Sequence, residues 1–339
     1  MSASQVNVIG DGSMGTVLAL LLADSGIRTR IWGNTADHVH LIAKDRENRR
    51  YLPGYSIPDS IELTSDDNLA LADADLVLNA VPTQYIRSVW QRLAGHLPEG
   101  VPVVSVSKGV ENQTLLMPTQ IINDVLQTAR QAKWPVAALS GPSVAAELAQ
   151  HMPATVCAAS EDADVAHLVQ ESFTTGWFRV YTNSDLLGVE LAGATKNVIA
   201  LAAGMIDGLK VGINAKSALL ARGLAEIARL GHAMGARQET FFGVAGVGDL
   251  ATTCFSPTGR NRTAGEMLGK GMPLDDVLEQ VPGIVEGVPT TRSVVQLAQK
   301  HGIEMPITQA VHRILFKGLS PADAITQLMT RQPKEERVG

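Results

Sequence analysis

Aromatic residues make up only 4% of this 339-residue chain, and it has only two cysteines, Cys157 and Cys254. The hydrophobic residues, 45% of the total, must therefore build the core mainly from Leu, Ile, Val, Ala and Met. Two cysteines far apart in sequence do not form a disulfide framework, and no CxxC or His-rich spacing indicates a metal site. We therefore expect a protein without a metal, residing in the reducing cytoplasm.

An excess of basic charge is also missing, since 34 acidic residues face 28 basic ones for a formal net charge of -6. This balance argues against nucleic acid as a partner. The most apolar stretches, 76–82 and 198–206, are far shorter than the ~20 residues of a membrane span. A strand is predicted almost at the N-terminus, so we expect no signal peptide. These absences favour a protein that acts on a small molecule in solution.

Apolar strands alternate with amphipathic helices through the first half of the chain. The strand 75–81 is almost entirely apolar, as expected of a parallel strand covered on both faces. This alternation predicts a parallel, doubly wound sheet. Strands are predicted at 4–9, 28–32, 75–81, 101–106, 135–139, 153–159 and 177–181, with helices at 36–46, 83–94, 115–128 and 161–172.

The pattern changes near residue 184, where segments rich in Ala, Gly and Leu with helical periodicity begin. No convincing strand follows. We therefore predict an α/β fold, with a Rossmann-type doubly wound sheet domain over 1–183 and an all-helical C-terminal domain over 184–339.

A glycine turn connects the first strand to the first helix. Gly10 permits a tight turn, Gly12 lets the backbone approach a pyrophosphate, and Gly15 allows close packing of helix on sheet. The helix N-terminus then offers N–H groups to phosphate oxygens. A strand before the turn and an apolar helix after it predict a dinucleotide-binding site rather than a merely tight turn.

An acidic residue is absent at the end of the second strand, which reads Ile31-Trp32-Gly33-Asn34. NAD-binding folds commonly place an acid there to hold the ribose 2′-hydroxyl. This favours NADP, or use of both NADP and NAD. Nearby arginines could bind the 2′-phosphate or form a solvated face: Arg28, Arg30, Arg46, Arg49 and Arg50.

Two lysines and one aspartate stand out as candidate catalytic residues. Lys108 follows an apolar strand at the end where ligands of open α/β sheets bind. Lys196 lies within an apolar helix, where burial and a second cation would lower its pKa and suit it to proton transfer, unless it snorkels to the surface. Asp249, in a glycine-rich turn, could pair with Lys196 or simply cap a helix.

Two further segments are candidates for substrate binding. Arg260 and Asn261 follow Gly259 at a predicted helix start, which suits a phosphate, although surface charge is the simpler interpretation. Gly141-Pro142-Ser143 opens another helix after a strand.

Seven ordered motifs together resemble the bacterial NAD(P)-dependent glycerol-3-phosphate dehydrogenases, and the resemblance covers residues ~5 to ~330. The ordered set is highly specific, although each motif alone is modest evidence. The motifs are 8–15 (VIGDGSMG), 107–109 (SKG), 139–143 (LSGPS), 194–200 (ATKNVIA), 246–250 (GVGDL), 259–262 (GRNR) and 285–287 (VEG).

The resemblance implies reversible reduction of dihydroxyacetone phosphate to sn-glycerol 3-phosphate, a phospholipid precursor, with NADPH or NADH as cofactor. We also expect a homodimer. It implies Lys196 as proton donor and acceptor, with Lys108 and Asp249 as its catalytic partners. Cofactor binding is implied for Gly10, Gly12, Ser13, Met14, Gly15, Asn34, Lys108, Ala145, Arg260, Ile284 and Glu286. Substrate binding is implied for Lys108, Gly141, Ser143, Lys196, Asn197, Asp249, Thr253, Gly259, Arg260 and Asn261.

The chain departs from the family pattern at two positions. Gly259 replaces the usual Ser, which removes a hydroxyl but keeps a backbone N–H, and Met14 replaces a frequent aromatic residue. Two alternatives stay open: a related two-domain 3-hydroxyacid-type dehydrogenase, and a non-catalytic dinucleotide sensor.

Overall fold

A computed structural model describes residues 2–333 and 335–336 and divides the chain into two compact units. The sheet unit comprises Met1–Ser107 and Pro118–Leu186, and the helical unit comprises Lys108–Met117 and Leu187–Gly339. Lys334 and 337–339, which belong to the predicted second domain, lie outside the described residues.

The sheet unit is built on an eight-stranded sheet with the order β10-β9-β8-β7-β6-β1-β2-β5. Neighbouring strands are parallel except for β8 and β9, which are antiparallel. Strands β3 and β4 form a separate antiparallel hairpin. The strands are β1 (Gln5–Ile9), β2 (Arg28–Trp32), β3 (Glu47–Asn48), β4 (Leu52–Ser56), β5 (Ile61–Thr64), β6 (Leu76–Asn79), β7 (Val103–Ser105), β8 (Val136–Ser140), β9 (Ala154–Ala159) and β10 (Phe178–Asn183).

The sheet has a topological switch point at β1, which is flanked by β2 on one side and β6 on the other. All residues of β1 and β6 are buried, as expected for central parallel strands. In open α/β sheets ligands bind beyond the carboxyl ends of such strands. The helices of this unit are α1 (Ser13–Asp24), α2 (Ala36–Asp45), α3 (Asp67–Ala70), α4 (Ile86–Leu93), α5 (Pro118–Arg130), α6 (Ala145–Leu148) and α7 (Ala163–Phe173).

The sequence interpretation missed β3, β4 and β5, which follow α2 in the chain. These segments are short and carry few apolar residues, and β5 is an edge strand, so they lack the apolar runs that identify the central strands.

The helical unit contains no strand among its described residues, and two of its helices cross with backbones nearly in contact. A Cβ atom at Gly204 would lie 2.0 Å from the Arg262 carbonyl oxygen, and one at Gly265 would lie 2.0 Å from the Leu201 carbonyl oxygen. The helices are α8 (Leu186–Gly208), α9 (Ile213–Ala233), α10 (Asp249–Phe255), α11 (Arg260–Gly269), α12 (Leu274–Gln280), α13 (Gly287–Lys300), α14 (Pro306–Lys317) and α15 (Pro321–Met329).

Helix α8 is longer than the apolar run 198–206 suggests, because small residues and isolated polar residues extend the helix at both ends. Among the described residues it alone is long and apolar enough to cross a membrane, but 94% of its most apolar window is buried. Burial of this kind is typical of the central helix of a folded core.

The segment Lys108–Met117 belongs to the helical unit, whereas the predicted boundary assigned it to the first domain. Val110 and Met117 are fully buried in the core of the helical unit. The Ser293 hydroxyl also donates a hydrogen bond to the Val110 carbonyl oxygen at 3.0 Å. The predicted boundary was placed where strands give way to helices along the sequence. It could not identify Lys108–Met117, a short segment that packs against helices much later in the chain.

Candidate active site

The glycine turn between β1 and α1 is constrained by its own backbone. Gly10 has a φ of +118°, and a Cβ atom there would lie 2.9 Å from the Ala80 carbonyl oxygen at the end of β6. A Cβ atom at Gly15 would lie 2.0 Å from the Gly10 carbonyl oxygen. Both positions therefore require glycine for the turn to form.

Gly12 is the N-cap residue of α1, and the first turn of this helix has no side-chain cap and no acidic residue. A Cβ atom at Gly12 would meet no atom within 4 Å. The N-terminal N–H groups are therefore not covered by a local side chain, and they fit the pyrophosphate of a dinucleotide.

The β3–β4 hairpin and α2 hold this turn in place. Asn48 donates hydrogen bonds to the Asp11 carbonyl oxygen and to the Thr16 hydroxyl, both at 2.8 Å. The Asp11 carboxylate lies 2.7 Å from Nδ1 of His38, and the Ser13 hydroxyl donates to the Tyr51 carbonyl oxygen at 2.6 Å. Sequence reasoning missed these contacts because the hairpin itself was not predicted.

The three candidate catalytic residues meet in the helical unit. Asp249 is buried at the start of α10, with a relative exposure of 1%. Its Oδ2 accepts a hydrogen bond from Nζ of Lys108 at 2.7 Å, and its Oδ1 accepts one from Nζ of Lys196. Lys196 is 6% exposed, so it is not a lysine that snorkels to the surface. The predicted pairing of Asp249 with Lys196 is present, and the second cation is Lys108.

Burial lowers the pKa of the Lys196 ammonium to about 7, and the charge of Lys108 adds to this effect while Asp249 opposes it. Burial alone would raise the pKa of the Asp249 carboxyl, but the two lysines outweigh it and hold that pKa below its ordinary value. The arrangement gives a carboxylate that stays ionised beside an amine that can gain or lose a proton near neutral pH.

A π-helical turn over Val244–Gly248 leads directly into Asp249. Such turns displace side chains from the regular helical register and are frequent at functional sites. One turn later on α10, the Thr253 hydroxyl accepts a hydrogen bond from Nζ of Lys196 at 2.7 Å and donates to the Asp249 carbonyl oxygen at 2.8 Å. Thr253 therefore helps to orient the lysine.

A chain of amide hydrogen bonds connects the backbone of Lys108 to helix α13. Asn197 donates to the Lys108 carbonyl oxygen at 3.1 Å, and Asn261 donates to Oδ1 of Asn197 at 3.0 Å. The Gly287 N–H donates to Oδ1 of Asn261 at 2.8 Å. Asn197 and Asn261 are both buried, so the network fixes the ends of α11 and α13 relative to Lys108.

Arg260, the first residue of α11, is exposed and donates a hydrogen bond to the Ile284 carbonyl oxygen at 3.0 Å. Glu286 is the N-cap residue of α13. Gly259 is the N-cap residue of α11, and a Cβ atom there would make only ordinary contacts at 3.5 Å or more. The fold therefore leaves room for the serine that is usual at this position.

The remaining predicted site residues lie in the sheet unit. Gly141 has a φ of +149°, and a Cβ atom there would lie 2.9 Å from Cα of Val156. The Ser143 hydroxyl donates to the Gly141 carbonyl oxygen at 2.9 Å. Met14 and Ala145 are partly buried against the core of this unit.

Two of the arginines considered for a 2′-phosphate serve the fold instead. Arg30 is 8% exposed and bonds to Glu62 and to the carbonyl oxygens of Leu69 and Ala72. Arg46 donates to three backbone carbonyl oxygens of the segment 57–61. The sequence suggested either a phosphate site or a solvated face for these arginines. Arg30 and Arg46 form neither.

Among the described residues, no group of three His, Cys, Asp or Glu side chains could hold a metal ion.

Comparisons with known proteins agree over the whole chain. The N-terminal model of NAD-dependent glycerol-3-phosphate dehydrogenase matches residues 5–166, and the C-terminal model matches residues 185–326. The glycerol-3-phosphate dehydrogenase [NAD(P)+] of Geobacillus thermodenitrificans is 47% identical, with 98% of this chain and 96% of the relative covered. The corresponding protein of Prosthecochloris aestuarii is 45% identical, with 98% and 99% covered.

Among solved structures, the glycerol-3-phosphate dehydrogenase of Coxiella burnetii superposes with a TM-score of 0.91 at 37% identity, covering 97% of this chain and 99% of that one. With both family models matched, the chain belongs to the NAD-dependent glycerol-3-phosphate dehydrogenase family.

Proposed function

We propose that this protein interconverts dihydroxyacetone phosphate and sn-glycerol 3-phosphate with NADP or NAD as cofactor. The observation that carries the proposal is Lys196, a buried amine with a pKa of about 7 that is held by Asp249 and Thr253 beside a second lysine. Reduction of a ketone to an alcohol requires a proton donor of this kind.

The nicotinamide dinucleotide, when bound, supplies hydride for reduction or accepts it for oxidation. Lys196 protonates the developing alkoxide in reduction and accepts the hydroxyl proton in oxidation. The positive charge of Lys108 stabilises the developing alkoxide, and Asp249 orients both ammonium groups. Because the pKa of Lys196 lies near 7, both of its protonation states are populated at neutral pH.

In the sheet unit, the dinucleotide is assigned to the N-terminus of α1, with Gly10, Gly12, Ser13, Met14, Gly15, Asn34 and Ala145 as its contacts. In the helical unit, we assign the substrate phosphate to Arg260, Asn261 and the Gly259 N–H. An exposed guanidinium at the start of a helix supports this assignment. The remaining proposed contacts are Gly141, Ser143, Asn197 and Thr253 for the substrate and Ile284 and Glu286 for the cofactor.

The test of the proton donor is Lys196→Met, with Lys216→Met as the matched control. Lys216 is a second buried lysine of the helical unit, paired with Asp207 at 2.7 Å. Each substitution leaves the carboxylate one cation, Lys108 for Asp249 and Arg262 for Asp207. We expect Lys196→Met to lose about 10²–10⁴-fold in kcat while it still binds NADPH, because general acid catalysis contributes that much.

The control should turn over dihydroxyacetone phosphate within about threefold of the unchanged protein, since Lys216 lies outside the proposed chemistry. Near-normal turnover by a folded Lys196→Met protein would refute the assignment. Circular dichroism of both variants establishes that they are folded.

Substrate identity is tested separately by following NADPH and NADH absorbance with dihydroxyacetone phosphate and with a non-phosphorylated 3-oxoacid. Oxidation of the cofactor with dihydroxyacetone phosphate, but not with the oxoacid, supports the proposal. Oxidation with the oxoacid alone would indicate a 3-hydroxyacid-type dehydrogenase, and cofactor binding without oxidation would indicate a sensor.

We also propose that the protein acts in the cytoplasm, where it supplies the glycerol backbone of phospholipids, and that it forms a homodimer through its helical unit. Both cysteines are free and buried, which suits a reducing compartment. Several large apolar side chains of the helical unit are exposed, including Ile213 at 72% and Phe255 at 49%. Sedimentation equilibrium should give twice the monomer mass, and a monomer at micromolar concentration would contradict the dimer.

A further inference from the structure

At the carboxyl end of β2 lies the guanidinium of Arg92, a residue that is distant in sequence. Arg92, on α4, places its guanidinium carbon 5.4 Å from the ring centroid of Trp32, the last residue of β2. Its Nη1 donates a hydrogen bond to Oδ1 of Asn34 at 2.6 Å. The position that commonly holds an acid in NAD-binding folds is therefore occupied by an asparagine in contact with an arginine.

Arg92 is fixed in orientation by Asp67, at the start of α3. Nε and Nη2 of Arg92 donate to the two carboxylate oxygens of Asp67 at 3.1 and 2.8 Å. Nη2 also contacts the second carboxylate oxygen, Oδ2, at 2.9 Å. Each terminal nitrogen of a guanidinium has two N–H groups, so the bond to Asn34 leaves one N–H on Nη1. The side chain is 47% exposed, so this group can reach a ligand from solvent.

The bond from Arg92 also sets the direction of the Asn34 amide. Because Oδ1 accepts from the guanidinium, Nδ2 is the outward end, and it donates to no described residue. The end of β2 therefore presents N–H donors from two side chains. Such a set suits a phosphate, which only accepts hydrogen bonds when ionised.

Four of the other arginines considered for a 2′-phosphate are poorer candidates. Arg30 and Arg46 are bound to backbone carbonyl oxygens, and Arg28 is the first residue of β2, at the opposite end of the strand. Arg49 pairs with Asp45 and Glu47 at the hairpin.

We propose that Arg92, positioned by Asp67 and acting with Asn34, binds the 2′-phosphate of the adenosine ribose and gives this protein a preference for NADP over NAD. The inference rests on the proposed function for the identity of the cofactor. It adds a residue that determines specificity and that lies 58 residues from Asn34 in the chain.

The experiment uses two probes that differ only in the 2′-phosphate, adenosine 2′,5′-bisphosphate and 5′-AMP, titrated calorimetrically into the full-length protein. The variants are Arg92→Gln and Arg92→Lys. The matched control is Arg87→Gln, which removes another ion-paired arginine of α4, bound to Asp124.

We expect the unchanged protein to bind the bisphosphate at least about tenfold more tightly than 5′-AMP, since a charge-assisted hydrogen bond commonly contributes that much. Arg92→Gln should abolish this preference, and Arg92→Lys should reduce it, because an ammonium keeps the charge and loses the fork. Binding of 5′-AMP should change little in all three variants, and Arg87→Gln should keep the preference.

A bisphosphate preference in Arg92→Gln within about twofold of the unchanged protein would overturn the proposal. So would equal loss of affinity for both probes, which would indicate a structural role, or the absence of any preference in the unchanged protein. Arg92→Lys provides the same test if Arg92→Gln does not fold. The titration requires no turnover, so it tests the role of Arg92 independently of catalysis. Failure to oxidise NADPH with dihydroxyacetone phosphate would refute the proposed function but would leave the role of Arg92 to be decided by the titration.

Discussion

At the scale of single residues, the site depends on one carboxylate, Asp249, which forms ion pairs with both Lys108 and Lys196. Asp249 is the most deeply buried of the three and contacts both ammonium groups. Without it, two like charges would share a buried space and Lys196 would be easier to deprotonate. Asp249 therefore opposes the effect of burial and of Lys108, and it extends to higher pH the range in which Lys196 can act as an acid.

This role predicts a shift in the pH profile of Asp249→Asn. Reduction requires protonated Lys196, so kcat/KM for dihydroxyacetone phosphate should fall as pH rises through about 7 in the unchanged protein. Removing the carboxylate should move this midpoint downward by about one pH unit or more. A lower rate with the same midpoint would contradict this role, because it would show that Asp249 positions the lysine without affecting its pKa.

At the scale of elements, the turn between β1 and α1 contains glycines of two kinds. Gly10 and Gly15 are required by the fold, whereas Gly12 could be replaced without a steric clash. A Cβ atom at Gly15 collides with the Gly10 carbonyl oxygen, while one at Gly12 projects into open space. Within one sequence pattern, Gly15 is therefore needed for packing, whereas Gly12 leaves space for a ligand to approach the backbone.

Gly15→Ala should lower the free energy of unfolding by about 1–3 kcal/mol, because the backbone must move to admit the methyl group. Gly12→Ala should cost only about 0.5–1 kcal/mol as an N-cap change, yet weaken NADPH binding at least about tenfold if the pyrophosphate approaches this backbone. Urea unfolding and fluorescence titration measure the two effects. Unchanged NADPH affinity in Gly12→Ala would place the pyrophosphate elsewhere.

At the scale of the whole molecule, one buried carboxyl joins two long helices of the helical unit. Glu226 of α9 is 3% exposed and accepts hydrogen bonds from the N–H groups of Ile307 and Thr308 at 2.7 and 3.2 Å, so it caps α14. Burial raises the pKa of Glu226 to about 7, against the effect of these hydrogen bonds. The folded protein therefore binds this proton more tightly than the unfolded chain does.

The sign of the linkage follows from the raised pKa. The stabilising contribution of the protonated group is complete below pH 4.5, and it is lost as pH rises through about 7. Glu226→Gln has no such titration. The stability of the unchanged protein relative to Glu226→Gln should fall by about 3 kcal/mol between pH 4.5 and 8. Parallel stability curves for the two proteins, measured by urea unfolding, would show that Glu226 ionises normally.

Much of the architecture could be predicted because the relevant signals are local. The central strands appear as apolar runs, the glycine turn lies between a strand and a helix, and the loss of strands after residue 184 marks the helical region. Lys196 was recognisable as a polar residue in an apolar helix. These features follow from burial and periodicity, which neighbouring residues in the chain already express.

Other features depend on residues that only folding brings together. The segment Lys108–Met117 packs with helices from the other end of the chain, and Asp249 meets Lys108 across 141 positions. Arg92 reaches the end of β2 from α4, while Arg30 and Arg46, which are nearer in sequence, are bound to backbone carbonyl oxygens. The sequence by itself determined the central strands, the glycine turn, the helical region and the kinds of side chain available for chemistry. The tertiary structure decided which charges become neighbours, because ion pairing and burial depend on distance in space and not on separation along the chain.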